Sequence, residues 1–274
     1  MKPRPTFPAK LDTTLARNRP NTVGESASTV TKSTAPTLPV GATGRTRPVA
    51  AAVSQGHGME SSAVRVRMVQ KLAAQGVTDP QVLGAMGAIE RHRFVDSALI
   101  NQAYEDTSLP IGLGQTISKP GVVSRMLELM CSGQSGKLGR VLEIGTGCGY
   151  QAAVLSLLAT EVYSIERLRG LHDRARENLR HLRLANLHLL FGDGMAGYAK
   201  GAPYAAIIAA AGGEAVPQAW IDQLAVGGRL VAPVATAGAS GGAQALMVLD
   251  KTPQGVRQTI LEAVHFVPLK SGVA

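Results

Sequence analysis

A chain of 274 residues, 45% of them hydrophobic, can bury a real core, as one large domain or two small ones, and holds no run of eighteen apolar residues that would span a membrane. Its two cysteines, Cys131 and Cys148, and six scattered histidines offer neither a disulfide framework nor a zinc site. Of the +9 net charge, residues 1–58 carry eight Lys/Arg against Asp12 and Glu25, which leaves +3 for the rest and makes the folded part no obvious partner for nucleic acid.

Residues 1–58 are rich in Pro, Thr, Ser, Ala and Gly, with Phe7 their one aromatic. Such a stretch buries too little apolar area to offset chain entropy and is read as a disordered basic tail. It lacks the apolar core of a signal peptide, and its prolines oppose the amphipathic helix of a transit peptide. Together with the unpatterned cysteines this predicts a reducing, cytoplasmic setting. From residue 59 the chain reads as one domain, helical over 59–135 and sheet-forming over 136–274. Val64, Met68 and Leu72 make a helical stripe in Ser61–Gln75, and Gly76 is a plausible stop. Asp79 as N-cap and Pro80 at the first helical position start a second helix through about Glu90. Arg91–Leu109 is less regular and reads as a loop anchored by Phe94 and Tyr104. Ser118 precedes Lys119-Pro120 and a helical stretch, Val122–Met130, so a side-chain N-cap is one reading of it.

The chain then reaches its most informative stretch. Val141–Ile144 reads as a buried strand, Gly145, Gly147 and Gly149 open a tight loop, and Gln151–Leu158 has helical spacing. Glycine lets the backbone approach a ligand, and the first turn of a helix offers unpaired N–H groups. The spacing is G-x-G-x-G, one residue shorter than the dinucleotide fingerprint, and no Gly-Lys-Ser/Thr comes after it, so a pyrophosphate is not indicated. A loop like this can also be only a turn. Two later strand ends raise its weight. Glu161–Ile165 ends in Glu166, where an acid meets ribose hydroxyls in a βαβ unit, although a solvated strand end is the plainer reading. Leu187–Phe191 ends in Gly192-Asp193-Gly194, where Asp193 reads equally as a turn former. Helices over 150–158 and about 168–182 separate these strands. Tyr204–Ala210 and Arg229–Val234 continue the series around a helix at Pro217–Leu224, and Gln244–Asp250 with Ala263–Leu269 reads as a late antiparallel pair. Continuous apolar strands between helices predict an α/β, doubly wound, mostly parallel sheet covered on both faces, with ligands beyond the carboxyl ends of its strands.

The sequence VLEIGTGCGYQAAVL, succeeded by SIER, GDG and GGRLVAPV, resembles the class I S-adenosylmethionine-dependent methyltransferases. Arg93-Phe94-Val95, Ala103-Tyr104-Glu105-Asp106, Leu109-Pro110-Ile111-Gly112, Gly114-Gln115-Thr116-Ile117-Ser118 and Phe266-Val267-Pro268-Leu269 narrow it. On these residues the chain resembles the protein-L-isoaspartate (D-aspartate) O-methyltransferase family over roughly Ser61 to Leu269. The resemblance implies a Rossmann-like sheet of seven strands, one of them reversed, behind an N-terminal helical subregion. It implies S-adenosylmethionine as co-substrate, no metal, and a cofactor site of Thr116, Ile117, Glu143, Gly145, Thr146, Gly147, Gly149, Glu166, Asp193 and Gly194. In that site Glu166 accepts the ribose hydroxyls and Asp193 the adenine amino group. Glu143 has two readings: contact with the cofactor's ammonium or a bound water, or a hydrogen bond that supports the loop. Ser118 falls where donor methyl and acceptor carboxylate meet, a catalytic role that does not exclude capping. Backbone near Ile111-Gly112 and Val267-Pro268-Leu269 would hold the peptide. The implied partners are damaged proteins and peptides bearing isoaspartate, met by a monomer that engages no nucleic acid and no membrane. Ala210–Glu214 carries no Asp/Asn-Pro-Pro-aromatic signature of nucleic-acid amine methyltransferases, and no carboxylate cluster suggests a metal-dependent enzyme. Ala209–Gly213 departs from the Thr/Ala/Pro-rich loop common in the family, which leaves a non-catalytic cofactor-binding module as the alternative.

Overall fold

The computed structural model describes residues 62–236 and 243–274, so the expected tail over 1–58 lies outside the described residues. Two helices come first, α1 (Ser62–Ala74) and α2 (Pro80–Ala88). Asp79 caps α2 as its sequence predicts, its Oδ1 accepting from the Gln81 and Val82 amides at 2.8 and 3.2 Å. The stretch expected to be a loop is instead wound into two 3₁₀ turns, Arg91–Phe94 and Ser97–Gln102. Phe94 and Tyr104 anchor it, both buried. A short antiparallel hairpin, β1 (Leu109–Gly112) and β2 (Gln115–Ile117), precedes α3 (Pro120–Cys131). Val123, Met126, Leu127 and Met130 lie on one face of α3 at i, i+3, i+4 and i+7, and all are buried.

The remainder alternates: β3 (Leu138–Ile144), α4 (Tyr150–Leu158), β4 (Ala159–Glu166), α5 (Arg169–Leu179), β5 (Leu187–Phe191), β6 (Tyr204–Ala209), α6 (Gln218–Gln223), β7 (Leu224–Ala235), β8 (Gln244–Thr252) and β9 (Gly255–Val264). Seven strands form one sheet in the order β5-β4-β3-β6-β7-β8-β9. All neighbours pair parallel except β8, which runs against both β7 and β9. The predicted doubly wound sheet with one reversed strand is therefore present. Successive residues Val141-Leu142, Ile207-Ile208 and Leu230-Val231 are all fully buried, because both faces of the central strands are covered. From β3 the chain winds outward to β5 and returns to β6 on the other side of β3, which puts the topological switch at the carboxyl end of β3.

One strand differs from expectation. The antiparallel partner of β8 is β9, which includes only Ala263 and Val264 of the expected Ala263–Leu269. Strand β9 is an edge strand with almost no burial, and its apolar residues Val256, Ile260, Leu261, Ala263 and Val264 do not alternate with polar ones, so it lacks the period-two signal by which a half-buried strand is recognised. Residues beyond it leave the hairpin and cross to the loop after β6, where Gly212 and Pro268 form an isolated parallel bridge.

Candidate active site

The loop after β3 needs its glycines. Gly145, Gly147 and Gly149 have φ of 91°, 56° and 92°, a left-handed series that side chains resist. A Cβ on Gly149 would also stand 2.8 Å from Leu179 Cδ1. Four of the loop's amides are committed to the protein itself. Gly145 and Thr146 both donate to the Ile165 carbonyl (2.9 and 3.1 Å), Gly147 donates to Glu166 Oε2 (2.9 Å), and Gly149 donates to the Thr146 carbonyl (2.9 Å). At Gly145 and Gly147 the absent side chain clears space while the N–H group locks the loop to β4, and Gly149 N closes the loop on itself.

Glu166, at the end of β4, is held from two sides, by Gly147 N and by Leu168 N at 2.9 Å each. Its carboxylate is buried in residue terms (5% exposed) yet lines the crevice, with acceptor capacity left for hydroxyl donors. Glu143 is different. It is fully buried, lies outside the crevice lining, and accepts from Ser164 Oγ at 2.5 Å. Ser164 Oγ in turn bonds Thr146 Oγ1 at 2.6 Å, so Glu143 reaches the loop through two hydroxyls. Burial, aided by the negative Glu166, pushes its carboxyl up to about 8. Its Oε2 supports the loop in this way, while its Oε1 is buried with no hydrogen-bond partner among the described residues. Asp193 also stands off the lining, while Gly194 is on it. Its Oδ1 accepts from Met195 N (2.8 Å) and its Oδ2 from Gly272 N (2.7 Å), so the C-terminal segment engages the carboxylate predicted to meet adenine.

Across the crevice stand Gln115, Thr116, Ile117 and Ser118. The N-cap reading of Ser118 does not hold. Lys119 is the cap residue of α3 and makes no side-chain cap bond, Pro120 takes the first turn, and the Gly121 amide is satisfied by Asp106 Oδ1 at 2.7 Å from another segment. Among the described residues the Ser118 hydroxyl has no hydrogen-bond partner, and it lines the crevice with Gly145, Thr146, Gly147 and Glu166. The Val267-Pro268-Leu269 segment completes this side. It is tied to the loop after β6 by Gly212 N to the Val267 carbonyl (2.9 Å) and Leu269 N to the Gly212 carbonyl (2.8 Å).

Sequence reasoning missed Leu113, Gln151, Arg167 and Lys270, all on the crevice lining, and Arg174, whose Nη1 donates to the Ile111 carbonyl at 2.8 Å and fixes the hairpin. Gln151 and Arg167 lie within the quoted VLEIGTGCGYQAAVL and SIER stretches, but nothing in their spacing marks them as lining residues. Among the described residues no group of three or more His, Cys, Asp and Glu could hold a metal ion, and no helix is long and apolar enough to cross a membrane.

A switch-point crevice with a left-handed glycine loop on one side and a ribose-height carboxylate at the next strand end fits a nucleoside whose other end must come close to backbone. That fold and site define a class I S-adenosylmethionine-dependent methyltransferase. Residues 63–274 match the family model for protein-L-isoaspartate(D-aspartate) O-methyltransferase, and the chain belongs to this family. It is 60% identical over 225 residues to a protein-L-isoaspartate O-methyltransferase of Leptothrix cholodnii, covering 81% of this chain and 79% of the relative. A second relative of that name, from Methylibium petroleiphilum, is 55% identical over 273 residues, 99% of this chain and 97% of its own length. A solved protein-L-isoaspartate O-methyltransferase superposes with a TM-score of 0.68 at 28% identity, over 76% of this chain and 67% of the other. The fold alone is also matched by a Plasmodium falciparum structure described as a β-aspartate methyltransferase in complex with S-adenosyl-L-homocysteine (TM-score 0.65, 22% identity, 74% of this chain and 97% of that one).

Proposed function

We propose that this chain transfers the methyl group of S-adenosylmethionine to the free α-carboxylate of L-isoaspartyl and D-aspartyl residues in damaged proteins and peptides, acting as a cytoplasmic monomer. The observation that carries the reading is the unpartnered Ser118 hydroxyl on the lining of one crevice shared with the glycine loop and Glu166.

S-adenosylmethionine supplies an electrophilic methyl on a sulfonium. Glu166 accepts from the two ribose hydroxyls with the lone pairs that Gly147 N and Leu168 N leave free. Asp193 retains acceptor capacity for the adenine amino group beside Gly194. Gly145 and Gly147 admit the methionine moiety by having no side chain, with Thr116 and Ile117 opposite. Glu143 and Gly149 serve the site from behind, one through Ser164 and Thr146, the other as the start of α4.

The acceptor carboxylate has an ordinary pKa near 4 and is ionised at neutral pH, so no general base is required. An O–C bond forms as the S–CH₃ bond breaks, and opposite charges are neutralised. Catalysis of such a step comes from alignment and from exclusion of water around both ions. Ser118 donates its hydroxyl to one carboxylate oxygen while the other attacks. Arg167 and Lys270 give the crevice positive charge that favours an anionic acceptor. Backbone at Ile111-Gly112 and Val267-Pro268-Leu269 holds the peptide main chain, which tolerates varied neighbouring side chains. Two unpaired thiols, Cys131 and the buried Cys148, agree with a reducing compartment.

The test is incubation with labelled S-adenosylmethionine and matched aspartyl and isoaspartyl peptides. Base-labile label on the isoaspartyl peptide alone is the expected result. Label on both, or on neither while the cofactor still binds, would overturn the assignment, the second outcome in favour of a non-catalytic binding module.

A further inference from the structure

Arg91 sits in the first 3₁₀ turn with no solvent exposure at all. Buried cations are expected to face carboxylates. This one is held instead by two backbone carbonyls and an aromatic ring. Nε donates to the Ala103 carbonyl and Nη2 to the Ser118 carbonyl, both at 2.8 Å, while Cζ lies 4.9 Å from the centroid of the Tyr150 ring. Nη1 has no hydrogen-bond partner among the described residues. Burial depresses the guanidinium's pKa, with Tyr150, Cys148 and the more distant Asp106 opposing that.

These contacts join the two sides of the crevice. Ser118 belongs to the acceptor side. Tyr150 starts α4 directly after Gly149 and lines the crevice on the cofactor side. Phe94, from the same turn as Arg91, meets the Tyr150 ring edge-on at 5.6 Å. Neither the Ser118 side chain nor Lys119 caps α3, so the Arg91–carbonyl bond is the polar tie that fixes residue 118.

We propose that Arg91 is a positioning residue for methyl transfer: a buried strut that holds the Ser118 backbone, and hence its hydroxyl, at a set distance from the glycine loop. This rests on the role of Ser118 in the proposed function. The planar fork of Arg91 reaches two carbonyls at once, which a lysine ammonium cannot do with the same geometry.

The test is a double-mutant cycle on the full chain, with kcat and KM for an isoaspartyl peptide and calorimetric affinity for S-adenosylmethionine as readouts. Arg91→Met keeps the volume and removes the fork. It is expected to lower kcat about 30-fold while peptide KM and cofactor affinity stay within about threefold, as misalignment of one reacting group predicts. In the Ser118→Ala background the same change is expected to lower kcat by less than about threefold, since the group it positions is gone. Arg91→Lys is expected to restore about a third of the lost activity, and serves as the test should the Met variant fail to fold. Independent, multiplicative losses in the double variant would overturn the Arg91 proposal alone. So would a cofactor affinity that falls in step with kcat, which would make Arg91 a support of the loop through Tyr150. Full turnover by Ser118→Ala would instead overturn the role given to Ser118, and the Arg91 proposal with it.

Discussion

The two sides of the crevice are put together by different means. The cofactor side is nearly continuous chain: β3, the glycine loop, α4 and the end of β4, locked by amide bonds spanning a few residues or one strand spacing. The acceptor side is gathered from the 3₁₀ turns, the β1–β2 hairpin, the loop after β6 and the segment beyond β9. Its ties are long in sequence and many run from side chain to backbone: Arg91 to Ser118, Arg174 to Ile111, Gln244 to Phe266, beside the backbone bonds of Gly212 to Val267 and Leu269. Each kind of damage should therefore appear in a different place. Backbone changes ought to abolish cofactor binding on the first side, whereas loss of single side chains ought to blunt turnover or peptide affinity on the second.

The largest effect is expected from Gly147→Val. A β-branched residue at φ 56° is strained, and its Cβ would stand 3.2 Å from Ile111 Cδ1 in the space the loop keeps clear. Calorimetric affinity for S-adenosylmethionine should fall at least about 1000-fold, the sum of strain and lost access. Affinity within tenfold of the parent would break the idea that the loop works by absence of side chains. Next comes Ser118→Ala, expected to lower kcat on an isoaspartyl peptide about 100-fold, the scale of one lost aligning hydrogen bond. Cofactor affinity should stay within about threefold, because residue 118 is placed on the acceptor side. If both quantities fell together, the division of labour would be wrong.

Legibility in the sequence divides along the same line. The glycines, Glu166 and the parallel strands were readable because local spacing and apolar periodicity encode them. Strand β9 was not, since its exposed residues mix apolar and polar with no alternation. Ser118 shows the limit of local reading. A serine before Lys-Pro and an apolar run looks like a helix cap, but Asp106 already satisfies the Gly121 amide from another segment. Asp193 shows it again: nothing in Gly192-Asp193-Gly194 foretells that Gly272 would donate to it. Arg91 had no motif of its own, because its meaning lies in two carbonyls that the fold brings to it.

Glu143→Gln probes the cofactor side by pH. The folded carboxyl is pushed up to about 8 from an ordinary 4.5. Below 4.5 folded and unfolded chains are both protonated there and its contribution is intact. Between 4.5 and 8 the unfolded chain sheds the proton while the folded one keeps it, so stability drops as pH rises; above 8 the loss levels off. Glutamine is uncharged throughout and can still accept from Ser164. Urea unfolding at pH 5 and pH 8.5 should therefore show the variant gaining about 4 kcal/mol on the parent across that window. Parallel curves would mean that Glu143 ionises freely and that its burial does not govern the loop.

The smallest effect, and the sharpest on the acceptor side, concerns Gln244. Its amide clamps Phe266 from both directions, Oε1 accepting from the Phe266 amide at 2.8 Å and Nε2 donating to its carbonyl at 3.3 Å. That clamp aims the next three residues, Val267-Pro268-Leu269, at the crevice. Gln244→Ala removes this clamp and leaves the Gly212 bonds to the segment in place, so peptide KM should rise about fivefold, the worth of roughly one net hydrogen bond, with kcat and cofactor affinity held. A change in cofactor affinity instead would show that the segment beyond β9 belongs to the cofactor side, and the two sides would have to be redrawn as one.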